Sequence, residues 1–253
     1  MRKLNSAVAA AIALAFSTAA LSGCETNDAL GRQQLILVSD SDLQQSALQG
    51  WQQQLQTAKV SHDPALNARI QKVGSRIVNA AGMGDRPWEY VLFEDDQPNA
   101  FVIPGNKVGV NTGLFKVVKN DDQLAAVIGH ETGHVIARHA AERASQQIAS
   151  AVVIDAATHA TSGKVSQAVA SYGGLGAELG FLLPYSRQQE SEADRIGVDL
   201  MVKAGYHAPE AVALWQNMMS ANNAAPPEFL STHPSDKTRI KDLQDYIAAK
   251  GYK

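Results

Sequence analysis

One cysteine occurs in 253 residues, so no disulfide can form within the chain, and any fold must be held by packing and polar contacts. Basic residues are in slight deficit, 22 Lys and Arg against 25 Asp and Glu, for a net charge of −3; losing Arg2 and Lys3 would take it to −5. A nucleic-acid binder would carry a basic surplus, which excludes that class of partner. No internal repeat is present. No run of about eighteen apolar residues goes without polar interruption, so a membrane-spanning helix is not expected. What is present is 45% hydrophobic content in a chain long enough for one or two domains, sufficient for a real core.

The position of the sole cysteine decides what it means. Met1-Arg2-Lys3 is basic, residues 7–21 are almost wholly apolar and small, and Leu21-Ser22-Gly23-Cys24 follows. This reads as a secretory leader over 1–23. Its ending resembles the lipobox of bacterial lipoproteins, in which the cysteine becomes the acylated N-terminus. That resemblance implies lipidation at Cys24 and anchoring in a bilayer, since several acyl chains together hold stably. Glu25 at the next position implies the outer membrane, with the protein on its periplasmic face. Residues 24–42 are polar and without periodicity, the expectation being a lipidated tether leading into one domain over 43–253.

Within that domain, apolar spacing predicts helices over 43–59 and from Asp63-Pro64 to Gly82. Strands are expected at 88–94, 99–103 and 107–111, forming a small antiparallel sheet. A long helix should then run from Asp121 past Ala149. Residues 148–184 are apolar, small and broken by glycines; a structural helical hairpin, a lid near the cleft and a lipid-touching surface all remain open. Helices are expected over 186–204 and from Pro209 through Met219, a loop over 222–227, and a last helix capped by Ser235 with Ile240, Leu243 and Ile247 inward. The class is α+β, mainly α.

The chemistry lies in His130-Glu131-Thr132-Gly133-His134. Two histidines four apart share one helix face, and neutral imidazole suits a zinc ion. Glu131, about one hundred degrees round the helix, flanks such an ion without binding it and is the candidate general base for a water. With seven histidines and ten glutamates, about 0.008 chance matches to this pattern are expected.

Zinc catalysis needs three protein ligands and an open position. The metzincin third histidine would fall at 140, after a glycine at 137; both are alanine here. His139 lies on a different face and reads as a surface residue or one behind the ligands. Downstream, Glu190 and Asp194 share a helix face, with Glu190 as candidate third ligand and Asp194 as acceptor for the far N–H of a ligand histidine. Glu192 points nearly opposite. A solvated acidic helix is the alternative.

The pair of motifs, His130 to His134 and Ser186-Arg187-Gln188-Gln189-Glu190-Ser191-Glu192-Ala193-Asp194, resembles the gluzincin metallopeptidases that include HtpX and the CAAX prenyl protease. The resemblance extends to Asn99-Ala100-Phe101, Pro104-Gly105 and Ser231-Thr232-His233-Pro234, covering roughly 60–250. With the lipobox and no spans, it is nearer the LoiP-type lipoprotein members. It implies a zincin-like domain, one Zn2+ per chain on His130, His134 and Glu190, and peptide hydrolysis with Glu131 as base. His233 falls where the family keeps a histidine near the cleft. It is a structural histidine, a fourth ligand that closes the site, or a helper for the oxyanion.

The expected function is a zinc endopeptidase acting on unfolded or outer-membrane polypeptides of the cell envelope, with the strand 107–111 pairing with extended substrate. A catalytically silent chaperone of the same fold and a zinc hydrolase of cell-wall peptide or a small ester are the alternatives.

Overall fold

The computed structural model describes residues 24–158, 185–220, 233 and 237–253, the side chains of 151–158 excepted. The secretory leader, most of the apolar 148–184 segment, the 222–227 loop and the Ser235 cap fall outside these residues.

Everything is built around α3 (Asp121–Ile136), whose residues from Gln123 to His134 are all buried. A helix buried on every face must be wrapped by other elements, and this one is. Asn120 caps it, its side-chain oxygen accepting from Gln123 N at 2.8 Å. On one flank lies α2 (Pro64–Ala80), started by Asp63 and Pro64 and packed through Ile70, Val73 and Ile77. On the other lies α5 (Arg187–Lys203), started by a reciprocal capping box between Ser186 and Gln189. The helices α6 (Pro209–Ser220) and α7 (Lys237–Lys250) complete the wrap through Leu214, Trp215, Leu243 and Ile247.

The sheet beside α3 has order β3-β5-β4, from β3 (Glu89–Phe93), β4 (Ala100–Ile103) and β5 (Lys107–Asn111). It was expected to be antiparallel; β4 and β5 pair so, through a turn with Gly105 and Asn106 at φ of 95° and 60°, but β3 and β5 run parallel. The expected substrate-pairing strand, 107–111, is thus the central one and is hydrogen-bonded on both sides. The edges are β3 and β4, and on β4 Val102 N donates to Glu131 Oε2 at 3.1 Å. The first helix, α1 (Asp40–Thr57), covers the sheet, with Trp51 edge-on to Phe93 and Phe101.

Two further expectations are corrected. The helix carrying His130 and His134 does not run past Ala149. It ends at Ile136, Arg138 takes φ of 53°, and α4 (His139–Thr158) starts in a new direction. A non-glycine residue there costs about 1–3 kcal/mol and needs outside support. Support comes from the supposed tether, which is folded. The hairpin of β1 (Cys24–Asn27) and β2 (Arg32–Leu35) lies on the end of α3. Gln34 Nε2 donates to Ala137 O at 2.8 Å and Asn27 Nδ2 to Ile136 O at 3.4 Å, satisfying carbonyls that a helix end leaves open. Arg138 itself pairs with Glu25 and Asp40. Among the described residues no helix is long and apolar enough to cross a membrane.

Candidate metal centre

The site is made by a close crossing of α3 and α5. A Cβ on Gly197 would sit 2.8 Å from His130 N, and one on Gly133 would sit 2.7 Å from Ala193 O. Only glycine admits such contact between two helix backbones. The N-terminal half of α5 is thereby pressed onto the histidine face of α3, and its two inward acids, Glu190 and Asp194, reach the imidazoles.

His130, His134, Glu190 and His233 form one buried group whose ligand atoms all lie within 4.8 Å of one another. His134 Nε2 is 3.1 Å from His130 Nε2, and His233 Nδ1 is 3.2 Å from the same atom. Glu190 places Oε1 3.4 Å from His134 and 3.0 Å from His233, and Oε2 3.5 Å from His130. Four atoms tetrahedral about zinc at 2.0–2.1 Å would be about 3.3–3.4 Å apart, so the spacing fits that ion.

Proton placement points the same way. His130 Nδ1 is 2.9 Å from Asp194 Oδ1, and an ionised carboxylate only accepts, so Nδ1 holds a proton and, in the neutral ring, Nε2 turns its lone pair inward. A second imidazole nitrogen and a carboxylate meet it there, an arrangement that calls for a cation. The electrostatics agree. Burial pushes His130 down, but Glu190 and Asp194 override it and hold the ring at about 9, so a proton on Nε2 supplies the positive charge these acids demand until a metal cation displaces it. Glu190 is held well below the usual carboxylate range: burial opposes ionisation, and His233, Arg239 and His130 outweigh it.

Glu131 is buried beside this group. Its Oε2 is tied to Val102 N, while Oε1 has no hydrogen bond and lies 3.5 Å from His233 Nε2. Burial pushes its carboxyl up, as suits a base that must release its proton again.

Arg239 was missed in the sequence. From α7 it grips Asp194 through Nε at 2.6 Å and Nη2 at 2.8 Å, reaches Glu190 through Nη1 at 2.5 Å, and lies over Trp215 at 4.0 Å. Its signal was available: it stands four residues before the inward Leu243 and eight before Ile247. Tyr185 was also missed; its ring stacks on His134 at 3.8 Å, and the Arg143 guanidinium lies over the Tyr185 ring, 3.7 Å from its centroid. His139 is not on the surface but fully buried, 2.8 Å from His134 Nδ1. Glu192 points away from the centre as expected, and into a polar cluster rather than solvent.

A groove of about 530 Å³ is lined by His134 and Tyr185, by Val102 and Ile103 of β4, and by Pro104 just after it. Cys24, the candidate lipidation site, is exposed at the start of β1.

Residues 64–247 match the model of peptidase family M48. Mitochondrial metalloendopeptidase OMA1 of Schizosaccharomyces pombe is 38% identical over 182 residues, 70% of this chain and 52% of that protein. Its Saccharomyces cerevisiae counterpart is 32% identical, over 78% of this chain and 60% of its own length. The beta-barrel assembly-enhancing protease of Escherichia coli is 31% identical, over 75% and 40%. The chain therefore spans between two fifths and three fifths of the length of these relatives.

Proposed function

The chain belongs to peptidase family M48, and from that membership and the geometry of the centre we propose that it is a zinc metalloendopeptidase. The observation that carries the reading is the convergence of His130, His134 and Glu190, from two helices, on one ion-sized space with the unbonded Glu131 Oε1 beside it. His130, His134 and Glu190 would hold the zinc. Bound there, the ion would polarise a scissile carbonyl and acidify a water.

The remaining work falls to side chains and backbone. Glu131 Oε1 takes the water's proton and later passes it to the departing amine, while Val102 N–H keeps the carboxylate turned toward the cleft. Asp194 fixes the His130 tautomer, and Arg239 keeps Asp194 and Glu190 ionised in a dry setting. An extended polypeptide pairs with the β4 edge and lies in the groove. Main-chain pairing reads sequence weakly, so the substrates are unfolded or misassembled chains.

His233 is the fourth ligand in this reading, a latch that an incoming substrate displaces and that lowers rather than abolishes activity. Its Nδ1 stands within 3.2 Å of both His130 and Glu190, nearer to the ligands than an oxyanion helper requires.

The substrates are assigned to the cell envelope because of the leader and the lipobox. A lipid on Cys24 would hold the domain at the periplasmic face of the outer membrane, and a relative is named for assisting beta-barrel assembly. Digestion of unfolded casein by the purified chain, with and without a zinc chelator, tests the reading. Chelator-sensitive cleavage is expected; binding without cleavage would favour the silent chaperone.

A further inference from the structure

The two candidate ligand histidines are braced from behind in parallel ways. His130 rests on Asp194, which Arg239 grips with two hydrogen bonds. Behind His134 stands a longer chain. His134 Nδ1 is 2.8 Å from His139 Nδ1, and His139 Nε2 is 3.0 Å from Glu192 Oε2. Glu192 is held by Arg32, through Nε at 2.6 Å and Nη2 at 2.8 Å. The same guanidinium also forks onto Glu142, at 2.7 and 3.0 Å.

The proton order in this chain follows from the ends. Glu192 can only accept, so His139 Nε2 carries the ring's proton and His139 Nδ1 is left with a lone pair. His134 Nδ1 must then donate to it, which leaves His134 Nε2 unprotonated and facing Glu190 and His130. That is the tautomer a metal ligand needs, set by partners two and three residues removed from the ion. His139 is fully buried and Glu142 nearly so, while Glu192 and Arg32 keep side-chain exposures of 17% and 23%. Arg32 sits on β2, in the hairpin that the sequence suggested was a mere tether. Gln34, two residues on, adds a hydrogen bond to Glu142 at 3.1 Å.

We propose that Arg32 is a positioning residue of the zinc centre, acting through Glu192 and His139 to fix the ring orientation and tautomer of His134. The hairpin is then a working part of the active site rather than a spacer. This rests on the zinc reading above, and its test reads metal binding rather than peptide cleavage.

Zinc affinity of the full chain is measured by competition with a chromogenic chelator, alongside the denaturation midpoint of the metal-free chain. Arg32→Met should weaken zinc binding by roughly ten- to a hundredfold. Simple loss of a nearby cation would tighten binding of a dication, so the sign is diagnostic. Arg32→Lys, which keeps charge beside Glu192 but loses the fork, should recover part of the loss. Glu25→Gln removes the hairpin's ion pair to Arg138 without touching the chain and should leave affinity within about twofold of wild type. Glu192→Gln should weaken binding on its own, and combining it with Arg32→Met should add little further, since both break one path. Wild-type affinity in Arg32→Met, or fully additive losses in the double variant, would overturn the proposal; if the Met variant does not fold, wild-type affinity in Arg32→Lys does the same. A wild-type chain that binds no zinc would instead overturn the metal centre itself.

Discussion

Gly197→Ala tests the helix crossing that makes the site. The added methyl would lie 2.8 Å from His130 N, 2.9 Å from Gly129 C and 3.1 Å from His130 Cα. Ordinary carbon contacts are about 3.5–4.0 Å, so α3 and α5 must part by roughly 0.5–1 Å. Overpacking of this kind costs about 1–3 kcal/mol, and the gain in helix propensity from glycine to alanine returns about 1 kcal/mol. Net stability should therefore fall by no more than about 2 kcal/mol. Function should suffer far more, because the shift acts between the helix carrying Glu190 and the one carrying both histidines. A misplacement of about 1 Å at a catalytic constellation costs on the order of a hundredfold in rate. The assay pairs a urea denaturation curve with chelator-sensitive casein cleavage. A variant that is more stable than wild type and fully active would refute the claim that close backbone approach sets the site.

Other expectations follow from the same contacts. Arg239→Met strands two buried carboxylates, Asp194 and Glu190, and should destabilise the metal-free chain by about 3–5 kcal/mol, read by denaturant titration. His233→Ala should raise peptidase activity if the residue closes the centre; a fall would make it a helper in the reaction. Acid should loosen the N-terminal hairpin over a defined range. Burial pushes Glu192 up, but hydrogen bonds from His139 and Arg32 outweigh it and hold the carboxyl at about 2, against 4.5 ordinarily. A depressed folded-state value stabilises above the unfolded value and is lost as pH falls, here between about 4.5 and 2. Limited proteolysis after Leu35 across that range should show the loss, and Arg32→Met should shift its onset upward.

What the sequence made legible was what is local. The histidine pair, the base between them and the inward acids of α5 follow from spacing along single helices, and α3 is apolar enough to announce itself as central. The pairing of β3 with β5 was not legible, because alternation says which face is buried and nothing about which neighbour is bonded. The break at Arg138 carries no glycine or proline; residues of the hairpin more than a hundred positions earlier hold it, with Asp40 adding an ion pair. The hairpin itself is polar, and its burial rests on Arg32 and Gln34 finding Glu142 and Glu192. Such satisfaction of charge by distant charge leaves no periodic trace. Arg239 shows the middle case: its face was predictable, its partners were not.

The central claim is that Glu190 of α5 completes a grip begun by the histidines of α3, while Glu131 stands by without binding. Zinc content of purified Glu190→Gln and Glu131→Gln, measured side by side by elemental mass spectrometry, tests it most directly. The account predicts about one zinc per chain and no cleavage for Glu131→Gln, and little or no zinc for Glu190→Gln. Retention of zinc by Glu190→Gln, or its loss from Glu131→Gln, would contradict it.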